Sequence, residues 1–128
     1  KIMTKVITSK SAPDAIGPYS HGNAFGELIF TSGQLPVCKE KGGIVDGGIA
    51  EQSRQSLVNL RSVLEAGGGD MDTVLKTTCY LANIEDFAAF NAVYADFFKT
   101  ECPARSCFAV KDLPMGALVE IEAIAHRK

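Results

Sequence analysis

The sequence predicts an α/β fold: a mixed β-sheet with two helices on one face, in the order β-β-β-α-β-α-β-β. Three observations carry this. Residues 49–66 and 83–98 repeat apolar side chains every three or four positions, as amphipathic helices do. Residues 118–126 alternate apolar and polar side chains, as a strand covered on one face does. At 128 residues the chain has length for one core and none for a second domain. The whole of 1–128 therefore reads as a single domain, with residues 1–3 expected to be disordered or foreign to the natural chain, and Met3 read as a candidate for its natural start.

The elements follow in order. Thr4 to Thr8 alternates around Val6 and reads as a first strand. Pro13 to Pro18 is a loop. Tyr19–Phe25 and Leu28–Ser32 form a hairpin about Gly26-Glu27. Gly33–Gly48 is a connection longer than most, which directs attention to function or an interface. Ile49–Ala66 is a helix with a stripe of Ala50, Ser53, Leu57, Leu60 and Leu64. Gly67 is expected to end it in the left-handed conformation. Val74–Leu81 is a strand, β-branched at Val74, Thr77 and Thr78. Asn83 is expected to cap the second helix, whose stripe is Phe87, Phe90, Tyr94 and Phe97, widened by Phe98. Pro103 stops any continuation. Arg105–Val110 and Leu118–His126 are strands flanking a turn at Lys111–Gly116.

In the last strand Val119, Ile121, Ala123 and Ala125 share one face, while Leu118, Glu120, Glu122, Ile124 and His126 share the other. Two helices cover one sheet face. Nothing in the chain is left for the other, so a partner subunit is the economical cover. A half-polar face open to water is the competing reading.

Composition narrows the function. Fifteen acidic residues against thirteen Lys and Arg give a formal charge of −2, so nucleic acid is not an expected partner. No apolar run approaches the roughly 20 residues a bilayer requires, and membranes are not expected either. Cys38, Cys79, Cys102 and Cys107 include no Cys-x-x-Cys pair. With only His21 and His126 beside them, neither a zinc cluster nor a disulfide framework is expected. Free thiols fit a reducing compartment. No transit peptide or secretory leader is read in the N-terminal residues, so a cytoplasmic location is expected, with a mitochondrial one as the alternative.

Several blocks then point to a family. They are Pro103-Ala104-Arg105-Ser106-Cys107-Phe108, Leu113-Pro114, Gly116 through Ala125, Ala15 through Ser20, Thr31 through Leu35, Gln52 with Asn59-Leu60, Val74 through Thr78, and Asp86-Phe87 with Asn91 and Tyr94. In order and at these spacings, the chain resembles the reactive intermediate deaminase family, also known as the YjgF/YER057c/UK114 group. The resemblance implies a chorismate-mutase-like α/β subunit in a homotrimer, with the sheets facing inward and clefts between subunits. It implies hydrolysis of 2-enamino and 2-imino acids, reactive by-products of pyridoxal-phosphate enzymes, to 2-keto acids and ammonium. Neither a metal nor an organic cofactor is implied. His21 departs from the family, which often has glutamine there, and is expected to affect the cleft rim.

The chemistry of an imino acid fits the residue types. Its carboxylate matches a planar guanidinium, and Arg105 is the candidate. The competing reading of Arg105 is a salt bridge to Glu120 or Glu122. Water must be held at the C=N carbon by a group that takes and returns protons. The family pattern makes Glu120 that catalytic group, with Glu122 an ion-pair partner. Cys107 lies two residues after Arg105 and shares its strand face, so it is read as cleft-lining, without a base to make it a nucleophile. Ser32 and the Gly33 amide can donate to a carboxylate or to developing negative charge. Tyr19 can lie over a small planar substrate. Asn91 is placed off the helix stripe, within reach of a neighbouring subunit. Two other classes compete: an endoribonuclease or translation inhibitor, and a non-catalytic ligand-binding or chaperone-like trimer.

Overall fold

The computed structural model describes residues 5–128. Its elements are β1 (Val6–Ile7), β2 (Gly22–Phe25), β3 (Leu28–Thr31), β4 (Val37–Cys38), β5 (Gly43–Ile44), α1 (Ile49–Ala66), β6 (Val74–Leu81), α2 (Phe87–Phe97), β7 (Ala104–Ala109) and β8 (Val119–His126). Six strands make one sheet in the order β1-β2-β3-β8-β6-β7, and β4-β5 pair as a small separate hairpin. All pairs in the large sheet are antiparallel except β6–β7, which is parallel and joined through α2. A parallel pair needs a long crossover, and α2 supplies it.

This architecture corrects two expectations. The fold is a mixed sheet with two helices and not a chorismate-mutase-like one, a name that denotes an all-helical bundle. The order also gains β4 and β5 inside the long Gly33–Gly48 connection. The expectations for residues 1–3, and for Thr4 in the first strand, lie outside the described residues.

Helix α1 runs over the span its periodicity predicts. Leu57, Leu60 and Leu64 are fully buried, each such side chain stabilising the fold by about 1.5–3 kcal/mol. Ala50, placed on the stripe by spacing, is exposed, and the buried face includes Gln52, Ser56, Asn59 and Val63 instead. Gly67 ends the helix in the right-handed region at φ −88°, and Gly68 takes the left-handed turn at φ +93°. Gly67 is needed for closeness: a Cβ there would lie 2.7 Å from Ile7 Cδ1. Asn83 makes no side-chain capping bond, because a single 3₁₀ turn, Ile84–Asp86, intervenes before α2. The stripe of α2 buries Phe90, Tyr94 and Phe98.

The core lies between the helices and one sheet face. Val119, Ile121, Ala123 and Ala125 of β8 are all buried there, with Ile29, Cys79 and Leu81. The opposite face leaves Leu28, Phe30 and Phe108 exposed and Glu120, Glu122 and Ile124 half-buried.

Candidate functional site

The site is built from the segment after β3. Gln34 exchanges backbone hydrogen bonds with Ile121: its N–H donates to the Ile121 carbonyl at 2.7 Å and its carbonyl accepts at 3.2 Å. This lays residues 33–34 along β8 beside Glu120. Two buried side chains of α1 hold the arrangement from below. The Asn59 amide donates to the carbonyls of Leu35 (3.0 Å) and Val37 (2.9 Å), and the Gln52 carbonyl accepts from the Leu118 N–H (2.9 Å).

Gly33 is where the Glu120 carboxylate rests. A Cβ on residue 33 would lie 2.1 Å from Glu120 Oε2, so only glycine leaves the carboxylate its place. Burial raises the Glu120 pKa above the ordinary carboxylate value, and the neighbouring charge of Glu122 raises it further. Beside this wall opens a cleft of about 230 Å³ lined by Ile16, Tyr19, His21, Gly33, Leu35 and Met115, among others. Tyr19 is half-exposed on it, and its hydroxyl accepts from the Ile16 N–H. Met115, also exposed, is held at φ +61°, a left-handed conformation costly for a side-chain-bearing residue.

Two polar side chains expected at the cleft, Ser32 and His21, are already engaged. The Ser32 hydroxyl donates to the Ser20 carbonyl at 2.6 Å, leaving its oxygen free only to accept. His21 is buried. Its Nδ1 accepts from the Ser9 N–H at 2.9 Å and its Nε2 donates to the Pro13 carbonyl at 2.8 Å, which assigns the neutral Nε2–H tautomer. His21 touches the cleft, but its ring nitrogens pin the 9–13 loop.

Arg105 stands elsewhere. It pairs in register with buried Thr77, so its side chain lies on the helix side of the sheet, whereas Glu120 lies on the open side. Its Nη1 donates to Asn91 Oδ1 at 2.7 Å. Its Cζ sits 4.7 Å from the Tyr94 ring centroid, 5.5 Å from that of Phe87 and 5.9 Å from that of Phe90. Among the described residues no carboxylate lies within ion-pairing distance of it, so the expected alternative of a bridge to Glu120 or Glu122 is absent. Asn91 spends its carbonyl on Arg105 of its own chain, instead of extending toward a neighbour. Cys107 shares the Arg105 face, partly buried. Burial raises its thiol pKa while Arg105 pulls it partly back, so it is a protonated thiol at neutral pH.

The candidate residues thus fall into two groups on opposite faces of the sheet. Tyr19 and Gly33 line the cleft, with Glu120 packed against Gly33 and Ser32 next to it in the chain. Arg105, Asn91 and Cys107 gather beside α2. Sequence reasoning missed Gln34, Met115 and the tethering role of Gln52 and Asn59. The seven-residue spacing of those two polar side chains within an apolar helix face was the available signal. All four cysteines are free thiols, and among the described residues no group of three or more His, Cys, Asp or Glu is placed to hold a metal ion.

The family model described as "Endoribonuclease L-PSP" matches residues 9–127. The human protein named 2-iminobutanoate/2-iminopropanoate deaminase is 42% identical over 124 residues, covering 97% of this chain and 90% of its own. Among solved structures, YEO7 of yeast superposes with a TM-score of 0.95 at 44% identity, covering 98% of this chain and 100% of its own. E. coli TdcF, solved with bound serine, gives 0.92 at 41%, covering 97% and 99%. With these matches spanning nearly its whole length, the chain belongs to the YjgF/RidA/UK114 reactive-intermediate deaminase family.

Proposed function

We propose that the chain is a hydrolytic deaminase that converts 2-imino acids and their 2-enamino tautomers, such as 2-iminopropanoate and 2-aminoacrylate, to 2-keto acids and ammonium. The observation that carries this reading is the half-buried Glu120 carboxylate, seated on Gly33 behind the cleft wall with its proton affinity raised. That is a group able to take a proton from water near neutral pH and give it back. The name of the human relative, a deaminase of such imino acids, supports the same chemistry.

The scheme assigns each group a role. Arg105, which has no carboxylate partner within the described chain, grips the substrate carboxylate through its fork. Glu120 accepts a proton from water as the water oxygen bonds to the C=N carbon. The C=N π pair moves to nitrogen, which takes up a proton. The resulting carbinolamine collapses: the C–N bond breaks, nitrogen leaves as ammonia and is protonated to ammonium, and the hydroxyl becomes the ketone. The enamine tautomer enters once its methylene carbon is protonated. The imine is already electrophilic, so the scheme calls for neither a metal nor an organic cofactor. Tyr19 flanks the planar substrate, and the Gly33 amide faces developing charge.

Arg105 and Glu120 act together only across subunits. The chain works as a homotrimer in which the half-site beside α2 of one copy meets the cleft of the next. The open sheet face, with exposed Leu28, Phe30 and Phe108, supplies apolar surface for that association. One domain carries the activity, in the reducing cytoplasm, where free thiols persist.

Ammonium release from freshly generated 2-iminopropanoate, with and without the protein, tests the reading. The expected result is release well above the spontaneous rate. Equal rates would overturn it, and salt-sensitive cleavage of RNA by the same preparation would favour the ribonuclease class instead.

A further inference from the structure

One buried hydrogen bond between side chains is not used by the proposed chemistry. The hydroxyls of Thr77 and Tyr94 lie 2.7 Å apart, with Thr77 1% and Tyr94 7% exposed. Neither can touch a substrate from there. Both touch the surroundings of Arg105. Thr77 is its register partner on β6, on the same sheet face, and the Tyr94 ring is the nearest of the three aromatic rings to its guanidinium. Phe87, Phe90, Asn91 and Tyr94 fall on one face of α2 by helical spacing, so the helix presents an aromatic cradle and one amide acceptor to a single cation.

A guanidinium on a long, rotamer-rich side chain has no fixed direction unless its surroundings give it one. Asn91 restrains one nitrogen. The tilt of the Tyr94 ring restrains the plane, and the bond to Thr77 fixes that tilt. An apolar pair would pack the same space without burying two hydroxyls. We infer that Thr77 and Tyr94 form a positioning pair that orients the Arg105 fork toward the substrate carboxylate. Burial pushes the Tyr94 phenol up to about 12, so the bond persists across the working pH range. This inference rests on the reading of Arg105 as the carboxylate clamp.

The test compares Thr77→Val, Thr77→Ser, Tyr94→Phe and Arg105→Ala, each checked for wild-type oligomer and thermal stability. Thr77→Val keeps the shape and removes the hydroxyl; Thr77→Ser keeps the hydroxyl. Thr77→Val and Tyr94→Phe are expected to raise KM for 2-iminopropanoate about 3- to 10-fold with kcat changed less than about two-fold. Their preference for pyruvate over pyruvamide as a competing ligand falls in parallel, and Thr77→Ser restores both. A merely structural pair would lower stability and leave the KM-to-kcat split and the carboxylate preference as they are, which overturns the inference. If Arg105→Ala itself left KM and that preference unchanged, the clamp reading would fail and the positioning role with it. Should Tyr94→Phe not fold, the Thr77 Val and Ser pair decides alone.

Discussion

Glu120 gains its character from two neighbours that act differently. Burial against Gly33 raises its pKa, and the like charge of Glu122, two residues along the same strand face, raises it further. A base works only when deprotonated, so activity falls as pH drops through this pKa. The acid limb of kcat/KM is therefore expected above the ordinary glutamate value of about 4.3. Glu122→Gln removes one negative charge, lowers the Glu120 pKa and moves that limb to lower pH. A limb that stayed in place or moved upward in a pH–rate profile would contradict the assignment. At this scale the sequence is readable only in part. Arg105 and Glu120 stand out through the family pattern and the shared face of Glu120 and Glu122. The reason for Gly33 does not, since it is a contact with a side chain far along the chain. Ser32 and His21 read as open polar groups because sequence does not disclose that Ser20, Ser9 and Pro13 already satisfy them.

At the level of elements, periodicity finds every long helix and strand, because an 18-residue helix or an eight-residue strand repeats its pattern several times. It misses β4 and β5, which are two residues each and sit among Pro36, Gly42 and Gly43, where no period can register. It places Ala50 inside and overlooks Asn59, because spacing alone does not separate a buried amide from a surface one. Yet Asn59 ties α1 to the segment that carries Gly33. Asn59→Leu leaves the carbonyls of Leu35 and Val37 without their donor, at a cost of about 1–3 kcal/mol, or a Tm lower by roughly 5–15 °C. Thermal unfolding at fixed protein concentration measures this. A Tm equal to wild type would show that the tether carries no weight.

For the whole molecule, the sheet has one face sealed by helices and one left open, and the two halves of the proposed site fall on opposite sides of it. The residue alternation along β8 is enough to disclose the open face. That Arg105 and Glu120 point to opposite sides stays hidden in the sequence, because it depends on how β6 registers with both β7 and β8. Under the proposed reading a chain so divided draws on a second copy to complete its chemistry, and the proposed head-to-tail ring of three gives each copy the same pair of neighbours. Subunit mixing tests this most directly. Arg105→Ala and Glu120→Gln chains, each inactive alone, are co-expressed under different tags and the mixed oligomers isolated. If each site takes Arg105 from one copy and Glu120 from the next, every mixed trimer keeps about one site in three intact, and about a third of wild-type 2-iminopropanoate deaminase activity returns. Mixed oligomers as inactive as their parents would contradict the account, placing both residues of each site in a single chain.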